Sequence, residues 1–232
     1  MEHDVVYILK NNWKCSPNEL RYSLRTVEKN FPCRRVWFFG GHPDGFKPDR
    51  YRQFTQEGKD RYERVRNSII KVCKTKEVSD DFWLFNDDFF ILKPVTEDFC
   101  YDRGDIRKHA RRLYQTHGFH SGYSKKCLDA DKLEEEGLTT KDYTLHVPLL
   151  VNKEKALEAI EAHPDIQGFR NLYGNYCQLE STTMEDVKIS DIYRLPPNGS
   201  AFLSTSDSAF ASGAAGAVVC KWFPTPSRWE VI

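Results

Sequence analysis

Asn86-Asp87-Asp88 sets two adjacent carboxylates inside a strongly apolar run, with Phe82-Trp83-Leu84-Phe85 before them and Phe89-Phe90-Ile91-Leu92 after. A run this short and aromatic, bounded by Asp80-Asp81 and Pro94, reads as a strand buried on both faces. Neighbouring aspartates are costly to bury unless a cation meets them. They therefore belong at the strand's end, where the chain leaves the sheet and reaches a cleft. Two hard oxygen ligands there are what Mg2+ (or Mn2+) uses while keeping its other positions for water and substrate phosphates. Asn and Asp are also ordinary turn formers, so a hairpin turn between two strands is the competing reading.

Three further groups bear on chemistry. His146 interrupts the apolar run Leu145–Val151, in which Pro148 excludes a centrally paired position and points to a strand end or edge; a lone imidazole there is either a satisfied core group or a proton acceptor. Arg66 falls on the apolar face of its helix, and Arg170 falls among the aromatics of Gln167–Tyr176. The Arg66 guanidinium either escapes to water along its stem or forks onto a phosphate or carboxylate. Arg103, Arg107, Lys108, Arg111, Arg112, Lys125 and Lys126 form a basic stretch, either a solvated face or a dock for an anionic acceptor. His117, His120 and Cys127 lack a fourth metal ligand at a recognised spacing.

The elements that must position these groups follow in order. Val5–Leu9 is a buried strand running into Lys10-Asn11-Asn12. Ser16-Pro17-Asn18-Glu19 has the pattern of a capping box and opens a helix through Asn30, which buries Leu20, Leu24 and Val27 and shows Arg21, Arg25 and Glu28 as a polar stripe. Val36–Phe39 is the next strand, so the opening is a βαβ unit. Ligands of such sheets bind beyond the carboxyl ends of the strands, which puts Lys10, Asn11, Gly40 and Asp87/Asp88 at one rim. A helix is expected over 59–74, a helical or irregular insertion over 99–144, and a helix from Lys153 to Ala162. A small-residue loop at 211–217, suited to a mobile lid, and a strand at Ala217–Cys220 close the chain. The class is α/β: a Rossmann-like mixed sheet flanked by helices, in one catalytic domain spanning 1–232.

Composition narrows the partners. Lys+Arg and Asp+Glu both number 34, so no global field gathers nucleic acid or membrane surface. Nucleic acid is thus a possible but unfavoured partner, through the basic stretch alone. No apolar run is long enough to span a membrane. Met1-Glu2-His3-Asp4 leads straight towards a strand without the pattern of a signal peptide, and seven scattered cysteines without a CxxC pair (Cys15, Cys33, Cys73, Cys100, Cys127, Cys177 and Cys220) favour reduced thiols and a cytoplasmic setting.

Several blocks in this order resemble the Stealth family of sugar-phosphate transferases, which includes capsule polymerases and the GlcNAc-1-phosphotransferase of lysosomal enzymes. "DVVYIL" is similar to that family's opening strand, and "NELRYSLRTVEKNFPCRRVWFF" to its most distinctive block. "FWLFNDDFFI" resembles its Asn-Asp-Asp strand. "HVPLLVNKEKALEAI" with the following "GFR" resembles its His-x-Pro block, while "FLSTSD" and "FPTPSRWE" are similar to its last block. The likeness spans nearly the whole chain and suggests a minimal bacterial or phage version.

The resemblance implies a GT-A-related core, a nucleotide-sugar donor (a UDP-sugar first) and Mg2+. It implies Asp87 and Asp88 as metal and catalytic aspartates, His146 as the catalytic imidazole, Arg170 as a phosphate-facing cation and Asp207 as a further metal-side acid. Lys10, Asn11, Arg21, Arg25, Arg66 and Asn67 are the candidates for donor binding. Two departures are visible. Lys10-Asn11-Asn12 stands where the family has an Asp-Gly turn, and Arg66-Asn67-Ser68, with Glu63 a turn earlier, stands where the family carries a Glu. The expected reaction transfers a sugar-1-phosphate to a hydroxyl on a glycan or other polymer, with His146 as proton acceptor. Two alternatives stand: plain glycosyl transfer with release of the nucleoside diphosphate, on cell-wall glycan or modified phage DNA, and a non-catalytic module binding an anionic polymer.

Overall fold

The structure is a computed structural model that describes residues 3–11, 18–118 and 121–231. Its main sheet is built from β1 (Asp4–Leu9), β2 (Val36–Gly40), β3 (Arg50–Arg52), β4 (Asp81–Phe85) and β7 (Leu149–Asn152), in the order β3-β2-β1-β4-β7. The first four strands run parallel and β7 lies antiparallel on the edge, beside β4. The 3-2-1-4 order of the parallel strands is that of half a Rossmann sheet, so the expected mixed α/β class is what the chain adopts. Leu9 pairs with Gly40 and Tyr7 with Phe85, which brings the carboxyl ends of β1, β2 and β4 to one rim.

Both faces of the sheet are covered, which explains why its strands read as unbroken apolar runs. Val6, Phe39, Phe82, Leu84 and Val151 pack against α2 (Arg61–Cys73), α5 (Lys153–Ala162) and α6 (Phe169–Tyr176). Val5, Tyr7, Phe38, Trp83 and Phe85 pack on the other face against Leu20, Leu24 and Val27 of α1 (Asn18–Asn30). The Ser16-Pro17 part of the capping box lies outside the described residues.

After β4 the chain turns at Asn86–Asp88 and enters β5 (Phe89–Ile91). This is not a hairpin. β5 pairs with β10 (Phe202–Thr205), which in turn pairs with β9 (Lys188–Ile189), forming a second sheet. Helix α1 grips β5 through polar side chains that the sequence reading missed. Ser23 Oγ donates to the Phe89 carbonyl at 2.6 Å, Thr26 Oγ1 accepts from Ile91 N at 3.0 Å, and Asn30 Nδ2 donates to the Ile91 carbonyl at 2.7 Å. Their spacing puts all three on one helical face, where they satisfy edge groups of β5 that a neighbouring strand would otherwise meet.

The 99–144 stretch is mainly helical, as expected, with α3 (Ile106–His117) and α4 (Ser121–Glu135); β6 (Tyr101–Asp102) pairs with β8 (Thr182–Thr183). The end of the chain departs from expectation. Ala217–Cys220 is not a strand, and the small-residue stretch is not a loop: α7 (Asp207–Ala211) and α8 (Ala214–Trp222) occupy it. A Cβ on Gly213 would sit 2.3 Å from the Ala209 carbonyl oxygen, and one on Gly216 1.9 Å from that of Phe210. The small residues serve close helix contact, which gives the segment a fixed seat in place of a lid's freedom. Among the described residues no helix is long and apolar enough to cross a membrane.

Candidate active site

Asp87 and Asp88 leave the carboxyl end of β4 and face the rim. Asp88 is held: Ser204 Oγ donates to its Oδ2 at 2.9 Å, and the Lys188 ammonium pairs with the same oxygen while also donating to the Thr205 carbonyl. Asp87 has no ion pair among the described residues. Burial, and then the Asp88 charge beside it, push its carboxyl up to about 6. Glu19, in the first turn of α1, accepts from Thr205 Oγ1 at 2.9 Å; burial, with the charges of Asp88, Asp87 and Asp207, pushes it up to about 7 despite that bond. Asp207 is exposed in the first turn of α7.

Phe89, the next residue, forms the floor on which the distant groups meet. The His146 ring stands edge-on to it at 6.5 Å and 86°, and the Arg170 guanidinium lies 5.5 Å from its centroid. His146 is oriented by a residue absent from the sequence-based candidates. Asp186 Oδ2 lies 2.8 Å from His146 Nδ1, and Oδ1 accepts the His146 backbone N–H at 3.0 Å. Arg103 pairs with the same carboxylate at 3.3 Å. Burial alone would raise Asp186, but the His146 hydrogen bonds and charge, helped by Arg103, hold it down to about 2. With Nδ1 engaged, Nε2 of the part-exposed imidazole is the nitrogen left for a substrate proton.

Arg170 is not the open, phosphate-facing cation that the sequence reading expects. Its Nη1 donates to the carbonyls of Leu145 at 3.1 Å and Val147 at 2.8 Å, straddling His146, while its Nη2 is buried without a partner. Burial lowers its pKa to about 10, with Asp186 and Asp88 the nearest charges opposing that fall. Asn171 and Asn175, on the same helix, bind the backbone of Tyr143 and Lys141. Helix α6 thus splints the strand-free segment that carries His146.

Several proposed donor-binding groups are engaged elsewhere. Arg25 forms a two-point pair with Glu230 at 2.8 and 2.9 Å and donates to the carbonyls of Phe223 and Pro224; Arg21 joins it on Glu230. The two arginines latch the C-terminal segment onto α1. Arg66 donates to the carbonyls of Ile160 and Pro164, closing the open C-terminal end of α5, and Asn67 donates to the Glu57 carbonyl at 3.0 Å. Asn11 spends its amide on Phe54 O and Gln56 N. Lys10 remains at the rim, exposed and within electrostatic range of Asp87.

The basic stretch is largely neutralised. Arg103 meets Asp186, Arg107 meets Asp131 and Glu134, Arg112 meets Glu185, Lys125 meets Asp60, and Lys126 meets Asp142. The solvated-face reading accounts for it. The His117 side chain and all of His120 lie outside the described residues. Among the described residues, no three His, Cys, Asp or Glu side chains are grouped as a metal shell.

No family model matches the chain, and no curated protein matches it. Among solved structures it is similar to the galactosyltransferase LgtC in complex with donor and acceptor sugar analogs, at 12% identity over 73% of this chain and 68% of that one, with a TM-score of 0.39. It is also similar to the apo-form glycosyltransferase GlyE of Streptococcus pneumoniae TIGR4, at 10% identity over 97% of this chain and 61% of that one, with a TM-score of 0.45.

Proposed function

We propose that the chain is a nucleotide-sugar-dependent transferase, of the Stealth type and GT-A-related, with its centre at the Asp87/Asp88 rim. The observation that carries this reading is the meeting of His146 and Arg170 at the Phe89 ring, one residue beyond Asp88, with the Asp88 charge acting on Arg170, at the carboxyl rim of a largely parallel sheet. In this reading the whole chain acts as one catalytic domain, with the 99–144 insertion on the acceptor side.

The donor set fits a divalent ion. Two adjacent hard carboxylates suffice when substrate phosphates and water complete the coordination. Burial first, and neighbouring carboxylate charge second, push Asp87 and Glu19 up, a cost that a bound cation would offset. Asp87 and Asp88 would hold Mg2+ or Mn2+, with Asp207 at the margin, and the ion would neutralise charge on the donor diphosphate. His146 takes the proton of the acceptor hydroxyl at Nε2, and Asp186 balances the imidazolium that results. Arg170 fixes the His146 segment, and Lys10 adds positive potential at the rim.

The favoured reaction forms a bond from the acceptor oxygen to the sugar-bearing phosphorus and breaks the bond from that phosphorus to the nucleoside monophosphate. One observation supports plain glycosyl transfer as a second reading: Arg170 is turned onto backbone carbonyls, which leaves the transferring phosphoryl group without that cation. A donor screen read by mass spectrometry, with Mg2+ and with EDTA, separates them. Release of a nucleoside monophosphate marks phosphotransfer, release of the diphosphate marks glycosyl transfer, and release of neither with any donor and acceptor overturns the proposal.

A further inference from the structure

Lys188 is placed unusually for a residue beside a candidate metal-binding carboxylate. It comes from the two-residue strand β9; Val187, just before it, and Ile189 are buried in the core, and Asp186 and Lys188 alternate with them towards the site. Pairing of Lys188 with Ser204 puts its ammonium against Asp88 Oδ2, and the Thr205 carbonyl holds it from the other side. The same Oδ2 also accepts from Ser204, so it is engaged twice. Among the described residues Asp87, Glu19 and Asp207 have no ion pair, so the only cation fixed in this acidic group sits on the oxygen a divalent ion would seek.

We propose that Lys188 is a tethered counter-cation that competes with the divalent ion for Asp88, so that the ion enters together with the donor diphosphate and binds poorly before it. Two cations at one carboxylate oxygen repel each other, and the smaller charge must swing away for the larger to bind. The lysine stem permits that movement, and a diphosphate arriving with the ion gives the displaced ammonium a new anionic partner. Without the diphosphate, displacement strands the ammonium at a half-buried position. This inference rests on the reading of the rim as a diphosphate and metal site.

The test is Mn2+ binding to the full chain, followed by electron paramagnetic resonance of the free ion, with and without UDP. Lys188→Met removes the charge, and Lys188→Gln does so while keeping a donor for Asp88, guarding against loss of the fold. Without nucleotide, both variants are expected to bind Mn2+ about tenfold more tightly than the wild type, and the tightening that UDP gives the wild type is expected to shrink by a similar factor. Asp88→Asn added to Lys188→Gln is expected to erase the gain. Equal Mn2+ affinity in the wild type and a folded Lys188→Gln overturns the inference; if the wild type still turns over a donor, the functional reading stands without it. Failure of wild-type Mn2+ binding even with UDP overturns both.

Discussion

His146 and Asp186 are joined twice, ring nitrogen to carboxylate at 2.8 Å and backbone N–H to carboxylate at 3.0 Å. The double contact fixes both the position of the imidazole and which nitrogen faces outward. Asp186→Asn keeps the shape and removes the counter-charge. Its expected effect is a loss on the order of 10²-fold in kcat with the fold unchanged, since it spoils the proton acceptor without deleting it. Steady-state kinetics of the variant, with urea unfolding as the control, check this; an unchanged kcat would reduce Asp186 to a packing role.

Arg170 holds the carbonyls on either side of His146 from a buried position. Arg170→Met leaves both carbonyls unmet. Urea unfolding should show a loss of roughly 2–4 kcal/mol for Arg170→Met, the scale of losing two bonds from a charged donor. A stability unchanged within error would return Arg170 to the role of an open phosphate ligand.

Arg25 and Arg21 were legible as a polar stripe, but the stripe meets Glu230, whose side chain is 1% exposed, and not a nucleotide. Arg25→Met should therefore cost about 3 kcal/mol, by leaving a buried carboxylate only partly compensated. Donor affinity should hold, as calorimetric titration with UDP will show. A large loss of UDP affinity at unchanged stability would favour the donor-binding assignment.

The raised carboxyls give a pH signature of opposite sign to the usual one. Glu19 (about 7) and Asp87 (about 6) hold protons in the folded chain that the unfolded chain has already released, so their contribution weakens as pH rises from the ordinary carboxylate range through these values. Asp186 and Glu230, both held down to about 2, act the other way and lose their contribution only as pH falls through the acid range. Stability should accordingly peak in mildly acid solution and decline from pH 5 to 8. Glu19→Gln should flatten that decline, measured by urea midpoints across the range.

The legible and illegible parts of this chain divide by the range of the signal. The opening βαβ unit, the helix from Lys153 to Ala162 and the exit of Asp87/Asp88 from a strand end were readable because apolar runs, caps and breakers act locally. Asp88, His146 and Arg170 were each conspicuous within their own few residues. Asp186 and Lys188 were not, since their only signal is a period-two alternation with Val187 and Ile189 at a strand just two residues long, Lys188–Ile189. Ser23, Thr26 and Asn30 carry no local signal, because their partner strand is set by tertiary pairing. Gly213 and Gly216 read as a loop from sequence because close helix packing and a loose loop call for the same small residues.

The central claim is that Asp88 and His146 belong to one transfer centre. The direct measurement is nucleotide release from a nucleotide-sugar, quantified by mass spectrometry for the wild type, Asp88→Asn and His146→Gln at matched stability. Release is expected to fall from the wild-type rate by at least about 10²-fold in each variant. Release that persists at the wild-type rate in both folded variants would contradict it.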